Sequence, residues 1–175
     1  MAKKLKKIIT VFYSRKGENY WNGSIKNLEI GNTKRVAEMI QDAVGGDIFE
    51  VDSVKKYSDN YNECIEEAKD ELNSGKLVEV KEYKDNLEDY DIIFVGYPNW
   101  WGTMPMVMFT FLKHYNLTGK KIIPFCTNEG SGMGASERDL KKICKGADIE
   151  KGLSIHGAEA EQSRDRVVAW ANKFV

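Results

Sequence analysis

A parallel β-sheet covered by helices on both faces, a three-layer α/β fold, is what this sequence predicts. Three observations lead there. Apolar runs rich in β-branched residues recur along the chain. The longest of them are continuous rather than alternating, as strands buried on both faces require. Stretches with helical apolar spacing follow them, so that strand and helix alternate five times. At 175 residues and 42% apolar content, the chain can form one domain, 1–175, with a sizeable core.

The first strand is Lys7 to Tyr13, which ends at Ser14. Arg15 to Ile30 is polar and rich in Asn, Gly and Lys, and reads as a loop. Lys34 to Val44 carries Val36, Met39, Ile40, Ala43 and Val44 at helical spacing, with Asn32 or Thr33 as the expected N-cap. Gly45-Gly46 stops that helix. A second strand spans Asp47 to Val51. A helix follows at Glu63 to Leu72, with Ile65, Ala68 and Leu72 on one face. Asn86 to Tyr90 is a turn or short helix into the third strand, Asp91 to Tyr97. Pro105 to Tyr115 is a well-buried helix, and Lys120 to Thr127 a fourth strand. Pro124 lacks a ladder donor, so it must sit at a bulge or an unpaired position. Ser136 to Lys145 is a helix, Gly152 to Gly157 the last strand, and Ser163 to Phe174 the closing helix, with Val167, Val168, Ala169 and Trp170 toward the sheet.

Composition narrows the partners. A net charge of -1 offers no basic surface for nucleic acid. No apolar run approaches the roughly 20 residues that span a bilayer. The start, Met1 to Lys7, is a basic lead-in to a buried strand rather than a signal peptide, which implies a cytoplasmic protein. Cys64, Cys126 and Cys144 form no Cys-x-x-Cys, and two His are too few for most imidazole metal sites.

In an open parallel sheet, ligands bind beyond the carboxyl ends of the strands. Three loops of unusual composition leave such ends. The first carries Ser14, Asn32 and Thr33 around Gly31, with a helix N-terminus behind them. This suits a phosphate, or is an ordinary cap. The second, Tyr97-Pro98-Asn99-Trp100-Trp101-Gly102-Thr103-Met104-Pro105, puts two indole rings in a loop. They either face a planar aromatic ligand or plug the core. The third, Thr127-Asn128-Glu129-Gly130-Ser131-Gly132-Met133-Gly134-Ala135, lets backbone approach a ligand closely. No Gly-x-x-x-x-Gly-Lys-Ser/Thr is present, and Gly130 to Gly134 is not a Gly-x-Gly-x-x-Gly. Cys126 reads as a buried structural thiol.

Taken together and in this order, the three loops resemble those of the flavodoxin family over essentially the whole chain. Tyr13-Ser14 with Gly31-Asn32-Thr33-Lys34 is similar to its phosphate loop, the Trp loop to its first isoalloxazine loop, and Cys126 to Gly132 to a Gly-rich second flavin loop. The resemblance implies a flavodoxin-like sandwich with five parallel strands in the order 2-1-3-4-5, and FMN as cofactor. Ser14, Asn32 and Thr33, with backbone from Arg15 and Lys16, are then expected at the phosphate. Pro98, Asn99, Trp100, Trp101 and Gly102 are expected along the ribityl chain and ring face, and Thr127, Asn128, Glu129, Gly130, Ser131 and Gly132 at the pyrimidine edge. Glu129 there would lower the flavin potential. No catalytic residue is implied.

Arg15 to Ile30 departs from the family as an insertion in the phosphate loop, and its Tyr20 and Trp21 are candidates for a lid. The near-zero charge and a second flavin loop without aromatics also depart from a dedicated shuttle. The expectation is electron transfer through FMN to a redox partner protein or small-molecule acceptor. The alternatives are an NAD(P)H-dependent quinone-type reductase and, more remotely, a flavin-free interaction domain. Neither nucleic acid nor membrane is expected as a partner.

Overall fold

The computed structural model describes residues 4–175, so Met1 to Lys3 of the basic lead-in lie outside the described residues. Five parallel positions form the main sheet. They are β1 (Ile8–Phe12), β4 (Asp47–Glu50), β5 (Ile92–Pro98), β6 (Lys121–Asn128) and a last position split into β7 (Asp148–Ile149) and β8 (Leu153–His156). Their spatial order is β4-β1-β5-β6, with β7 and then β8 beside β6, all parallel. Counted by position this is 2-1-3-4-5.

Side chains leave β5 alternately. Ile93, Val95 and Tyr97 join Val107, Phe111 and Leu140 on one face, while Ile92 and Phe94 join Val36, Ile40 and Val167 on the other. The first face is covered by α3 (Met106–Lys113) and α4 (Ser136–Ile143), with α2 (Tyr61–Ser74) beside α3. The second is covered by α1 (Asn32–Val44) and α5 (Arg164–Ala171). Both faces of the sheet are therefore dry at its centre, which is why β5 is a continuous apolar run.

Pro124 pairs in register with Val95, yet costs no ladder bond. The Lys121 N–H bonds Asp91 on the β5 side, and the Ile122 carbonyl accepts from Glu150 on the other, so even-numbered residues of β6 face the last strand position. There the chain breaks between β7 and β8. Gly152 passes Pro124 in that gap so closely that a Cβ would lie 2.4 Å from Met133 Cε and 2.9 Å from the Pro124 carbonyl oxygen. The missing donor of Pro124 and the split strand are one feature.

Several expectations need correction. Arg15 to Ile30 is not a loop but a hairpin, β2 (Gly17–Trp21) paired antiparallel with β3 (Ser24–Leu28). Its turn is Asn22-Gly23 at φ 48° and 89°, the primed geometry that Asn-Gly favours. The N-cap of α1 is Gly31 rather than Asn32 or Thr33, and the capping oxygen comes from β1's end, where Ser14 Oγ accepts from the Lys34 N–H at 3.1 Å. Gly31 must be glycine, because a Cβ there would fall 2.2 Å from Ser14 Oγ. Helix α2 is capped by Asn60, whose side chain accepts from the Glu63 N–H. It buries Cys64, Ala68 and Glu71, so its inner face is rotated from the one expected. Ala169 of α5 is exposed; Val167 and Ala171 are buried and Trp170 packs on Phe94, as expected of Val167 and Trp170, after which a 3-10 turn, Asn172–Phe174, ends the chain's helical part.

Gly96 lies under the Phe125 ring, where a Cβ would be 2.1 Å from Cζ. Gly96→Ala should lower stability by about 1–3 kcal/mol through overpacking. The check is a urea titration showing a lower midpoint at unchanged slope.

Candidate functional site

The strand order reverses between β1 and β5, because the chain runs out to β4 before returning. A cavity of about 430 Å³ opens there, beyond the carboxyl ends of β1, β5 and β6. Of the expected residues, Arg15, Asn32 and Thr33 line it from the first loop, Pro98 to Gly102 from the second, and Thr127, Asn128, Glu129 and Ser131 from the third. Ser14, Lys16, Gly130 and Gly132 do not line it. Ser14 supports α1 from beneath, Lys16 is exposed, and the two glycines donate their N–H groups to Asn128 Oδ1, each at 3.0 Å, shaping the third loop.

The two tryptophans divide the roles left open above. Trp100 is partly buried between Tyr13 and Tyr57, edge-on to both at 5.3 and 5.1 Å. Behind it the Tyr57 hydroxyl donates to Glu71 Oε2 at 2.6 Å, and Lys55 Nζ holds the other oxygen at 2.9 Å, so the buried carboxylate is paired. Burial, then the Glu71 contact, pushes the Tyr57 phenol far above its usual range. Trp101 is 46% exposed and adopts φ 55°, a costly conformation for a bulky side chain. Three contacts hold it. Its Nε1–H donates to the Ile65 carbonyl at 2.7 Å, Lys69 Nζ lies 5.0 Å over its ring, and the following Gly102 N–H donates to Asn99 Oδ1 at 2.9 Å. Asn99 also donates to the Gly132 carbonyl at 2.9 Å, which ties the second loop to the third. The first loop joins them through a buried 2.7 Å hydrogen bond between the Thr33 and Thr127 hydroxyls.

Tyr20 of the hairpin, one of the two lid candidates, lines the wall, and residues that the sequence reading did not select complete it: Asn19 from the hairpin, Tyr61, Cys64, Ile65 and Ala68 from α2, and Gly157 after β8. The Asn-Gly turn signal could have found the hairpin; nothing local marks α2 as a wall. Tyr20 stacks on Tyr61 with ring centroids 6.0 Å apart. Trp21, the other lid candidate, is not part of the wall; Lys26 Nζ lies 4.2 Å over its ring. The Arg15 guanidinium is taken up by the carbonyls of Glu18, Ser58 and Asp59 at 3.0, 3.0 and 3.1 Å, so it anchors the hairpin. Glu18 Oε2 accepts from the Tyr61 N–H at 2.6 Å.

Glu129 turns its carboxylate toward Asn32, at the start of α1. Its Oε1 and Asn32 Nδ2 lie 2.8 and 2.6 Å from the point a Gly157 Cβ would occupy. Glu129 Oε1 and Asn32 Oδ1 are both buried and unpartnered. Such acceptors are costly unless a donor reaches them. Among the described residues, no group of three or more His, Cys, Asp and Glu could hold a metal ion, and no helix is long and apolar enough to cross a membrane.

A cleft at the reversal point of a doubly wound parallel sheet defines the chain as a ligand-binding α/β domain of the 2-1-3-4-5 type. The family profile described as flavodoxin matches residues 28–174, and the chain belongs to that family. It is similar to a candidate flavoprotein of Bacteroides eggerthii, with 27% identity, a TM-score of 0.76 and coverage of 97% of this chain and 98% of that one. A candidate flavoprotein of Bacteroides uniformis matches at 25% identity and a TM-score of 0.74, covering 97% and 99%. In fold it also matches a flavoprotein of Lactobacillus acidophilus solved in complex with FMN, at 21% identity and a TM-score of 0.63, covering 90% and 98%. No curated protein matches the sequence.

Burial raises the Cys126 and Cys144 thiols to about 12 and also lifts Cys64. A thiol with pKa 12 is thiolate in about one molecule in ten thousand at pH 8. Cys126 and Cys144 of the folded protein should therefore stay silent to a disulfide reagent at pH 8 and react on unfolding. Thiol counts with and without guanidinium check this.

Proposed function

We propose that this protein binds FMN non-covalently in the cavity and carries electrons through it. The observation that carries the reading is the arrangement of the cavity, with a helix N-terminus at one end and aromatic walls beside it. The volume falls within the range of about 300–1,000 Å³ typical of small-molecule sites. The first N–H groups of α1 lack carbonyl partners within the helix and carry its positive dipole end, which suits a phosphate. The buried acceptors Asn32 Oδ1 and Glu129 Oε1 suit the hydroxyl donors of a polyol chain. Trp101, Tyr20 and Tyr61 offer flat faces to a ring system. The residues present therefore fit the cofactor, and the fold neighbour solved with FMN agrees.

FMN supplies one- and two-electron chemistry when bound. The chain supplies the rest. Helix α1 orients the anion, the second loop fixes Trp101 at the rim, and the hairpin with Tyr20 restricts water. Thr33 and Thr127 hold the floor of the site rigid. The acceptor is a redox partner protein or a small molecule. The small-molecule reading has its own support: Tyr20 and Trp101, 40% and 46% exposed at the mouth, leave an open aromatic rim, and a net charge of -1 gives little long-range steering toward a charged partner. Three buried thiols suit a reducing cytoplasmic setting.

Added FMN should lose its fluorescence on binding at micromolar concentration, and the bound flavin should show a shifted visible spectrum. Trp101→Ala should weaken binding about tenfold or more, given that a lost aromatic contact costs about 1–3 kcal/mol per stacked ring. Absence of binding at micromolar FMN would remove the proposal. NAD(P)H consumption with a quinone by the holoprotein alone then separates reductase from carrier.

A further inference from the structure

Glu129 is the one acidic side chain among the described residues that line the cavity. Its side chain is 19% exposed and its carboxylate sits where α1 begins. An anionic ligand group at that helix end meets a carboxylate, and like charges at such range disfavour one another. One oxygen is committed: Oε2 lies 2.6 Å from His156 Nε2 and accepts the backbone N–H of Asn22, at the hairpin tip, at 3.3 Å. The other, Oε1, is buried without a partner. Among the described residues, His156 is the only potential cation within ion-pair distance of Glu129.

His156 is placed to pair with that charge. Neutral imidazole donates from Nε2 to Glu129 and leaves Nδ1 free to accept a proton. Nδ1 faces Glu159 Oε1 at 4.0 Å, and the ring is 35% exposed, so solvent can supply the proton. The other charged or titratable groups nearby are otherwise engaged. Arg15 is bound to backbone carbonyls, Arg166 of α5 donates to the Ser154 carbonyl, and Tyr61 of α2 stacks on Tyr20.

We propose that the Glu129–His156 pair is the proton-linked element of the site: an anionic ligand group seated at the start of α1 binds together with one proton taken up by His156. The inference rests on the flavin reading, with the phosphate of FMN as the anion. The proton moves from solvent to Nδ1, and no other bond is made or broken. Its sign follows from linkage. A bound anion favours imidazolium, so by linkage the affinity for the anion falls as pH rises. His156 acts here as a positioning residue, through Glu129.

The test compares FMN with riboflavin, which lacks the phosphate, at pH 6 and pH 8. Wild type, Glu129→Gln and His156→Gln are used, each checked for folding by its thermal melt. Wild type should bind FMN about tenfold more weakly at pH 8 than at pH 6, as expected for a like charge restored near an anion. Both variants should show only the smaller trend of the phosphate's own titration, and riboflavin should show none. Titration calorimetry in two buffers of different ionisation enthalpy should register proton uptake for wild type with FMN, lost in His156→Gln. FMN binding with one pH profile in all three proteins overturns the inference and leaves the cofactor reading intact. Equal pH dependence for riboflavin and FMN does the same. Binding of neither flavin overturns both.

Discussion

Three parallel strands ending side by side are the constraint on which everything else at this site depends. Phe12, Gly96 and Phe125 stand in register across β1, β5 and β6. Beyond Phe12 the first loop begins at once, while β5 and β6 stay paired through Pro98 and Thr127 before their loops wall the cavity. Parallel strands need crossover helices, and those helices make both faces of the sheet dry. The edge is thus rigid, and loops that leave it start from fixed positions. Small contacts then lock the loops to each other. The Thr33–Thr127 hydrogen bond joins the first to the third, and Asn99 joins the second to the third. Gly134 allows the third loop to pass the Gly102 carbonyl, which a Cβ would meet at 2.2 Å.

The wall is not uniformly firm. Its base is buried sheet and helix, while the hairpin is fastened chiefly by polar contacts: Arg15 to three carbonyls, Glu18 to the Tyr61 N–H, and Glu129 to Asn22. Ile25 and Tyr20 of the hairpin are exposed. A segment with little apolar burial opens at a lower free-energy cost than the strands beneath it. Ligand access through the hairpin side therefore need not disturb the core. The strain at Trp101 belongs to the rim, where the Ile65 carbonyl and Asn99 hold that residue in place.

Much of this was legible in the chain. Continuous apolar runs announced the buried strands, and alternation with helical spacing announced their parallel order. The Trp loop and the Gly-rich loop stood out because their composition is odd for loops. Other parts were not legible for definite reasons. The hairpin was hidden because its strands are polar and exposed, so no alternation of burial marks them; only Asn22-Gly23 betrays the turn. The capping oxygen of α1 comes from Ser14, seventeen residues before Gly31. A local search for caps cannot find it. The inner face of α2 was misjudged because its buried Glu71 is polar in sequence and becomes tolerable only when Tyr57 and Lys55 reach it.

The sequence by itself determined the class of fold, the strand order once its loops were matched to a family, and three segments that meet at one edge. The fold class and the segments are consequences of hydrophobic period and backbone chemistry, which are local; the strand order came from the resemblance. Tertiary structure alone decided that Trp100 is wedged between Tyr13 and Tyr57 while Trp101 stays exposed at the rim, that α2 and Gly157 complete the cavity wall, and that Glu129 meets His156 beside Asn32. These depend on residues far apart in the chain being brought within a hydrogen-bond length. That proximity is set by packing the whole sheet and leaves no periodic trace in the order of residues.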